Sequence, residues 1–301
     1  MGNSVGPAKV RVIICQEVEL PVKAAIQSAL LQTYSIVNKS GVLDSGPFCR
    51  LFTNSYFLYK RWLEDPFYRL GKNYPGIFSG GRILDVGANI GYTALVFAEY
   101  ADSDATVYAF EPDKKNFTKL VQITQGRRPG GAVIECINAA VGAETGSIEF
   151  WHNASHHGDH RVCNAALKAS DIVDVSQVKS VKLIDLDSFT SERGILDSVA
   201  FVKIDVQGYE LPVCQGMEKI AVRNQNMRLA IEYMPSAFAE LGFKGDDVLD
   251  FMEARGFSPY IITPQGLLVD VKERTAIEFA TRNRGYCDLL FSRTDVGSYK
   301  A

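Results

Sequence analysis

From Gly81 onward, short apolar runs alternate with stretches of helical spacing, and no other feature of the chain narrows its fold as far. Arg82–Val86, Thr106–Phe110, Val133–Ile137, Val199–Ile204 and residues 229–233, 257–262 and 287–292 read as strands. Tyr92–Tyr100 and residues 112–124 and 246–254 read as helices, the second with Pro112 in its first turn. In Val199–Ile204 only Lys203 is polar, which suits a strand covered on both faces. Such alternation implies a mostly parallel α/β sheet with helices on both faces. Residues 143–151 interrupt it: Glu144-Thr145-Gly146 reads as a hairpin turn feeding an extra extended segment. The first 80 residues differ in character. Phe48, Phe52, Tyr56, Tyr59 and Leu63 recur every three to four positions, as on one face of an amphipathic helix, before Pro66 and Gly71, Pro75 and Gly76 end the pattern. Two parts are therefore expected: a helical N-terminal segment, 1–80, serving as lid or dimerisation element, and a sheet domain, 81–301.

Charge and composition exclude several roles. Against 35 Asp and Glu stand 32 Lys and Arg, a net charge of −3, so no broad positive field favours nucleic acid or an anionic membrane. No apolar run reaches the roughly 18 residues that a membrane span needs. The six cysteines form no C-x-x-C pair and read as reduced thiols of a cytoplasmic protein. Residues 1–8 show no basic stretch followed by an apolar run.

The chemistry-bearing motifs sit where strands end. Asp85-Val86-Gly87-Ala88-Asn89-Ile90-Gly91 joins the first strand to the first helix. In open α/β sheets ligands bind beyond the carboxyl ends of strands, and glycines there let the backbone approach them. The spacing is G-x-x-x-G, not the G-x-G-x-x-G of dinucleotide enzymes, which weighs against a dehydrogenase. Glu111, in Phe110-Glu111-Pro112, stands 20 residues past Gly91, the spacing at which a carboxylate accepts two ribose hydroxyls. Asn138, before Ala139-Ala140-Val141, could meet an adenine edge or stabilise a turn, with Ala139 leaving room for a flat ring. Asp205 ends the strand expected beside the first, as a ligand of the same crevice or a cap of its turn. Glu210, opening the next helix, reads as a helix-start carboxylate.

Taken together, Asp85-Val86-Gly87-Ala88-Asn89-Ile90-Gly91, Phe110-Glu111-Pro112, Asn138-Ala139-Ala140-Val141-Gly142 and Val202-Lys203-Ile204-Asp205-Val206-Gln207-Gly208-Tyr209-Glu210-Leu211 resemble the FkbM family of methyltransferases over about residues 81–240. The resemblance implies a seven-stranded class I methyltransferase sheet, S-adenosylmethionine as cofactor and a hydroxyl of a natural product or sugar as acceptor. It implies that Asp85, Gly87, Ala88, Asn89 and Gly91 surround the methionine part. Tyr92, opening the next helix, reads either as a contact of the cofactor carboxylate or as a packed side chain. Glu111, beside Pro112, would hold the ribose, Asn138 and Ala139 would lie by the adenine, and Asp205 near the sulfonium. Gln207 departs from the family's frequent Glu, which puts a carboxylate role there in doubt. N-methylation and a cofactor-binding module without catalysis remain the alternatives.

Methyl transfer to a hydroxyl gains from a base, worth about 10²–10⁴-fold. All four histidines, His152, His156, His157 and His160, fall within nine residues, with Asp159 beside them. They read as an exposed polar loop, as a substrate-facing loop in which His157 or His160 is the base, or as a metal site of His157, His160 and Asp159. Asp205 is the rival base. The expected partner is a small-molecule acceptor; the oligomeric state stays open, a homodimer included.

Overall fold

A computed structural model describes residues 65–125, 131–152, 160–170, 173–282 and 284–300, with isolated positions at 57 and 60. The chain divides into two compact units, Met1–Pro66 and Phe67–Ala301. The helix expected over residues 48–63 lies almost wholly outside the described residues. The second unit, Phe67–Ala301, holds every described strand.

That unit begins with α1 (Phe67–Asn73) and a 3-10 turn at Pro75–Phe78. The alternating part then runs β1 (Arg82–Val86), α2 (Tyr92–Tyr100), β2 (Thr106–Phe110), α3 (Lys114–Gln125) and β3 (Val133–Ile137). Next come β4 (Ala140–Val141), β5 (Gly146–Trp151), β6 (Arg161–Val162), α4 (Ala165–Lys168), β7 (Val178–Ile184) and α5 (Leu186–Glu192). β8 (Val199–Ile204), α6 (Glu210–Gln215), α7 (Glu218–Arg223), β9 (Arg228–Tyr233), α8 (Pro235–Glu240) and α9 (Gly245–Glu253) follow. β10 (Ser258–Ile262), β11 (Leu268–Asp270), α10 (Thr275–Thr281) and β12 (Cys287–Ser292) complete the sheet.

The main sheet has the order β11-β10-β12-β9-β8-β1-β2-β3. β9, β8, β1, β2 and β3 are parallel, and β12 runs antiparallel between β9 and β10. The seven expected strands are all present. A short eighth, β11, extends one edge through an antiparallel pairing with β10. β8 is buried at every residue, as a central strand between two helical layers must be. Its Phe201 meets Phe78 and Phe97 in a cluster of rings with centroids 4.8 and 5.4 Å apart. Buried Arg228, at the start of β9, donates to the carbonyls of Ile77 and Ser79 and so ties the 3-10 turn to the sheet.

The strand order reverses between β1 and β8: from β1 the chain builds outward through β2 and β3, then returns to the other side of β1. That reversal opens a crevice at the carboxyl ends of these strands.

A second sheet, β4-β7-β5-β6, interrupts the alternation. The expected extra segment at 143–151 is its strand β5. Trp151, Cys163, Leu167, Val173 and Leu241 form the core beneath it. Cys136, Cys163, Cys214 and Cys287 are unpaired thiols. Among the described residues no helix is long and apolar enough to cross a membrane.

Candidate active site at the strand ends

The β1–α2 turn is forced by its glycines. Gly87 sits at φ 80°, and a Cβ there would stand 1.9 Å from the Asp205 carbonyl oxygen. Gly91 caps α2 at φ 95°, where a Cβ would press within 2.6 Å of the Leu120 side chain. Only glycine serves at such positions. The N–H groups of Gly87 and Ala88 donate to the Phe110 carbonyl, fixing the turn against the end of β2. Tyr92 is buried in the first turn of α2.

Glu111 is buried and joins two loops. One carboxylate oxygen accepts from the N–H of Asn89 at 2.9 Å, the other from the N–H of Asp113 at 2.8 Å. Burial pushes its pKa up to about 8 against the pull of these two donors. Asn138 is exposed and donates through Nδ2 to the carbonyls of Glu111 and Pro112 at 2.8 and 3.1 Å. It thus braces the turn that carries Glu111. Ala139 is fully buried. Pro112 precedes the helix rather than entering it. Asp113 Oδ1 accepts from the N–H groups of Lys115 and Asn116, so α3 starts at Lys114 with Asp113 as its cap.

On the other side of β1 lies a chain of charges. Asp85 and Lys203 are paired across β1 and β8. Asp85 is fully buried, accepts from the Thr93 hydroxyl at 2.7 Å and lies 3.7 Å from the Lys203 ammonium. Its pKa is raised by burial, with Lys203 and Thr93 opposing. Lys203 Nζ is 3.1 Å from Asp205 Oδ2 and donates to the Gly87 carbonyl at 3.1 Å. Gln207 Nε2 donates to Asp205 Oδ1 at 3.1 Å and to Glu232 Oε2 at 2.8 Å. Burial acts to raise the Asp205 pKa, but Lys203, Gln207 and Glu232 outweigh it and hold the carboxyl below the usual range. Glu232, on β9, is pushed well above its ordinary value by burial and by the nearby Asp205 charge. The two neighbouring carboxyls are thus pushed apart, Asp205 towards the charged form and Glu232 towards the neutral one.

Glu210 serves structure. It is buried and accepts from the N–H groups of Val206 and Gly208 at 3.0 Å each, which shapes the loop after β8. Among the described residues only Asn89 (φ 51°) and Gln207 (φ 56°) hold a positive φ without being glycine. They lie in the loops that leave β1 and β8.

Of the histidines, His152 and His160 are described; His156, His157 and Asp159 lie outside the described residues. His152 follows β5 and His160 precedes β6, flanking a hairpin whose last described pair is Trp151↔Arg161. Their rings stack with centroids 4.3 Å apart. His152 Nδ1 lies 2.8 Å from Asp113 Oδ2. The hairpin end of the small sheet thus meets the β2–α3 turn.

The structure brings Asp85, Gly87, Ala88, Asn89, Gly91, Glu111 and Asp205 to the carboxyl ends of three neighbouring strands. The motifs alone left Lys203, Glu232, Asp113 and His152 without roles. Register could have flagged two of them: Lys203 is level with Asp85, and Glu232 lies one step past the pair Ile204↔Ile231, as Asp205 does.

A Rossmann-like sheet with its reversal between β8 and β1, an antiparallel β12 and this strand-end cluster is the fold of a class I methyltransferase. The profile of the methyltransferase FkbM domain matches residues 85–259, and the chain belongs to that family. Among curated relatives, it is 29% identical over 136 residues to the hexuronic acid methyltransferase AglP of Haloferax volcanii, covering 45% of this chain and 49% of that protein. It is 30% identical over 161 residues to the 31-O-demethyl-FK506 methyltransferase FkbM of Streptomyces tacrolimicus, covering 46% of this chain and 60% of that protein. The chain thus matches only about half the length of these relatives. Among solved structures, methyltransferase FkbM from Methylobacillus flagellatus matches with a TM-score of 0.43 at 14% identity, over 73% of this chain and 48% of that one.

Proposed function

We propose that the chain is an S-adenosylmethionine-dependent methyltransferase acting on a hydroxyl of a sugar or another small natural product. The observation that carries this reading is the pair of left-handed, non-glycine residues, Asn89 and Gln207, on the two loops facing the topological reversal. Such conformations persist where surrounding structure enforces them, and they gather at binding sites.

The residues fit the cofactor. Each Glu111 oxygen accepts one backbone N–H and keeps a further lone pair, so the carboxylate can take the two hydroxyls of a ribose. Asp205, held as an anion, suits a neighbouring sulfonium. The cofactor supplies an electrophilic methyl group and a good leaving group. The chain's own work is to hold the acceptor oxygen in line, where orientation is worth roughly 7–11 kcal/mol. A carboxyl held below the usual range is a weak base, so Asp205 acts through charge and through the position Lys203 and Gln207 give it. An oxygen acceptor is supported by the relative whose name is tied to a 31-O position, and a sugar acceptor by the hexuronic acid methyltransferase.

Incubation of the full chain with methyl-labelled S-adenosylmethionine and a panel of hexuronic acids and polyhydroxylated natural products tests the reading. Label recovered as a methyl ether supports it, whereas a methyl ester would move the acceptor from a hydroxyl to a carboxylate. Label on nitrogen, or none despite cofactor binding, contradicts it.

A further inference from the structure

We infer that Asp113, His152 and His160 form a binding site for one divalent transition-metal ion, of which zinc is the best fit. The inference uses no residue assigned to the cofactor and stands or falls apart from it.

The three groups come from separate elements. Asp113 caps α3 at the end of β2, while His152 and His160 flank the β5–β6 hairpin. One ligand atom from each lies within 4.8 Å of the others. The antiparallel register makes this convergence necessary. Pairs Phe150↔Val162 and Trp151↔Arg161 put His152 opposite His160, at the spacing where cross-strand side chains touch. Asp113 divides its oxygens: Oδ1 caps the helix, and Oδ2 faces His152 at 2.8 Å. That separation is already close to the distance between two ligands on one ion.

The groups are sheltered. The side chains of His152 and Asp113 are 20% and 12% exposed, and His160 is 8% exposed. A carboxylate–imidazole pair accounts for Asp113 and His152 but not for the second ring laid on the first. Two protonated rings at 4.3 Å would repel each other. Two neutral rings can each direct a lone pair at one cation.

Two imidazoles and a carboxylate are the donor set of zinc and other borderline first-row ions; magnesium and calcium prefer oxygen alone. Binding would turn the rings out of their stack, so that the donors converge to the roughly 2.0–2.2 Å that zinc requires. Three protein ligands leave a position open to water or a substrate oxygen. Asp113 also donates its N–H to Glu111, so the ion would stand one residue contact from the proposed ribose carboxylate.

The test uses the untagged full chain, stripped with chelator and titrated with zinc, with magnesium as the contrast. The expected result is one zinc per chain and no comparable uptake of magnesium. Cobalt in place of zinc should give visible absorption bands. H152Q and H160Q should each abolish those bands and weaken zinc by about a hundredfold or more, beyond the roughly 10–100-fold that loss of an outer partner costs. Both variants keep a polar side chain, and far-UV circular dichroism and a melting temperature unchanged from metal-free wild type report that the sheet has folded. Unchanged zinc affinity in both variants overturns the assignment by placing any metal elsewhere. No zinc uptake by wild type overturns it too, and leaves Asp113–His152 as a proton-carrying pair.

Discussion

The two sheets of this protein are built by different rules. The main sheet has central strands that are mostly apolar and buried, with Asp85 and Lys203 next to last in β1 and β8, so its polar groups gather towards the carboxyl ends. The small sheet is half exposed, and its polar side chains lie along the strands: β7 reads Val178-Lys179-Ser180-Val181-Lys182-Leu183-Ile184, with burial only at its last two residues. The main sheet must bring its functional groups to one place, because a parallel stack leaves polar side chains nowhere else to go. The small sheet carries the stacked histidines, His152 and His160, at its hairpin end. Variants that damage one region and spare the other measure how separate the two are.

The largest effect belongs to Gly87→Val. The left-handed φ and the contact with Asp205 together cost about 2–5 kcal/mol of stability, read by denaturant unfolding. A loss under about 0.5 kcal/mol, the level of an ordinary surface change, would break the claim that strand-end geometry holds this region together.

Asp205→Asn comes next. It keeps the shape of the side chain and removes the charge, so turnover should fall about 10²–10³-fold, and S-adenosylmethionine, a cation at sulfur, should also bind more weakly. Wild-type kcat in this variant would assign Asp205 to structure alone. A matching loss in H152Q would show that the two regions act together in turnover.

The smallest effect is a pH dependence. Burial raises Glu111 and Glu210 to about 8 in the fold, against an ordinary 4.5 when unfolded. Between those values the folded chain binds more protons than the unfolded one. Their contribution to stability is therefore full below about pH 4.5 and is lost as pH rises through about 8. Glu210→Gln should flatten this slope in melting curves taken across that window. An unaltered slope would show that Glu210 is not the titrating group.

The main sheet was legible because strand burial writes itself as apolar runs. Arg82–Val86, Thr106–Phe110, Val133–Ile137 and Val199–Ile204 are found where the pattern places them. β4, β7 and β11 were not, since strands of two or three residues leave no period and β7 mixes lysines into its alternation. Spacing alone pointed to Glu111 and Asp205, because each follows a strand directly. Lys203 showed only as the one polar residue of a buried strand, and its charge partners depend on the register of β1 against β8. Asn138 was readable as a turn former or an adenine contact, and its amide is engaged with the turn carbonyls. Asp113 and His152 are 39 residues apart in the chain, so no local motif joins them.

The central claim is that the crevice between β1, β2 and β8 receives the cofactor, with Glu111 on its ribose. Calorimetric titration of the full chain with S-adenosylhomocysteine, wild type beside Glu111→Ala, tests it most directly. The account predicts one-to-one binding near micromolar, about −8 kcal/mol, and a loss of about tenfold to a hundredfold in the variant. It also predicts that wild-type affinity rises as pH passes through about 8, because ribose hydroxyls donate to the ionised carboxylate. No binding by wild type, or equal binding by both proteins, would contradict it.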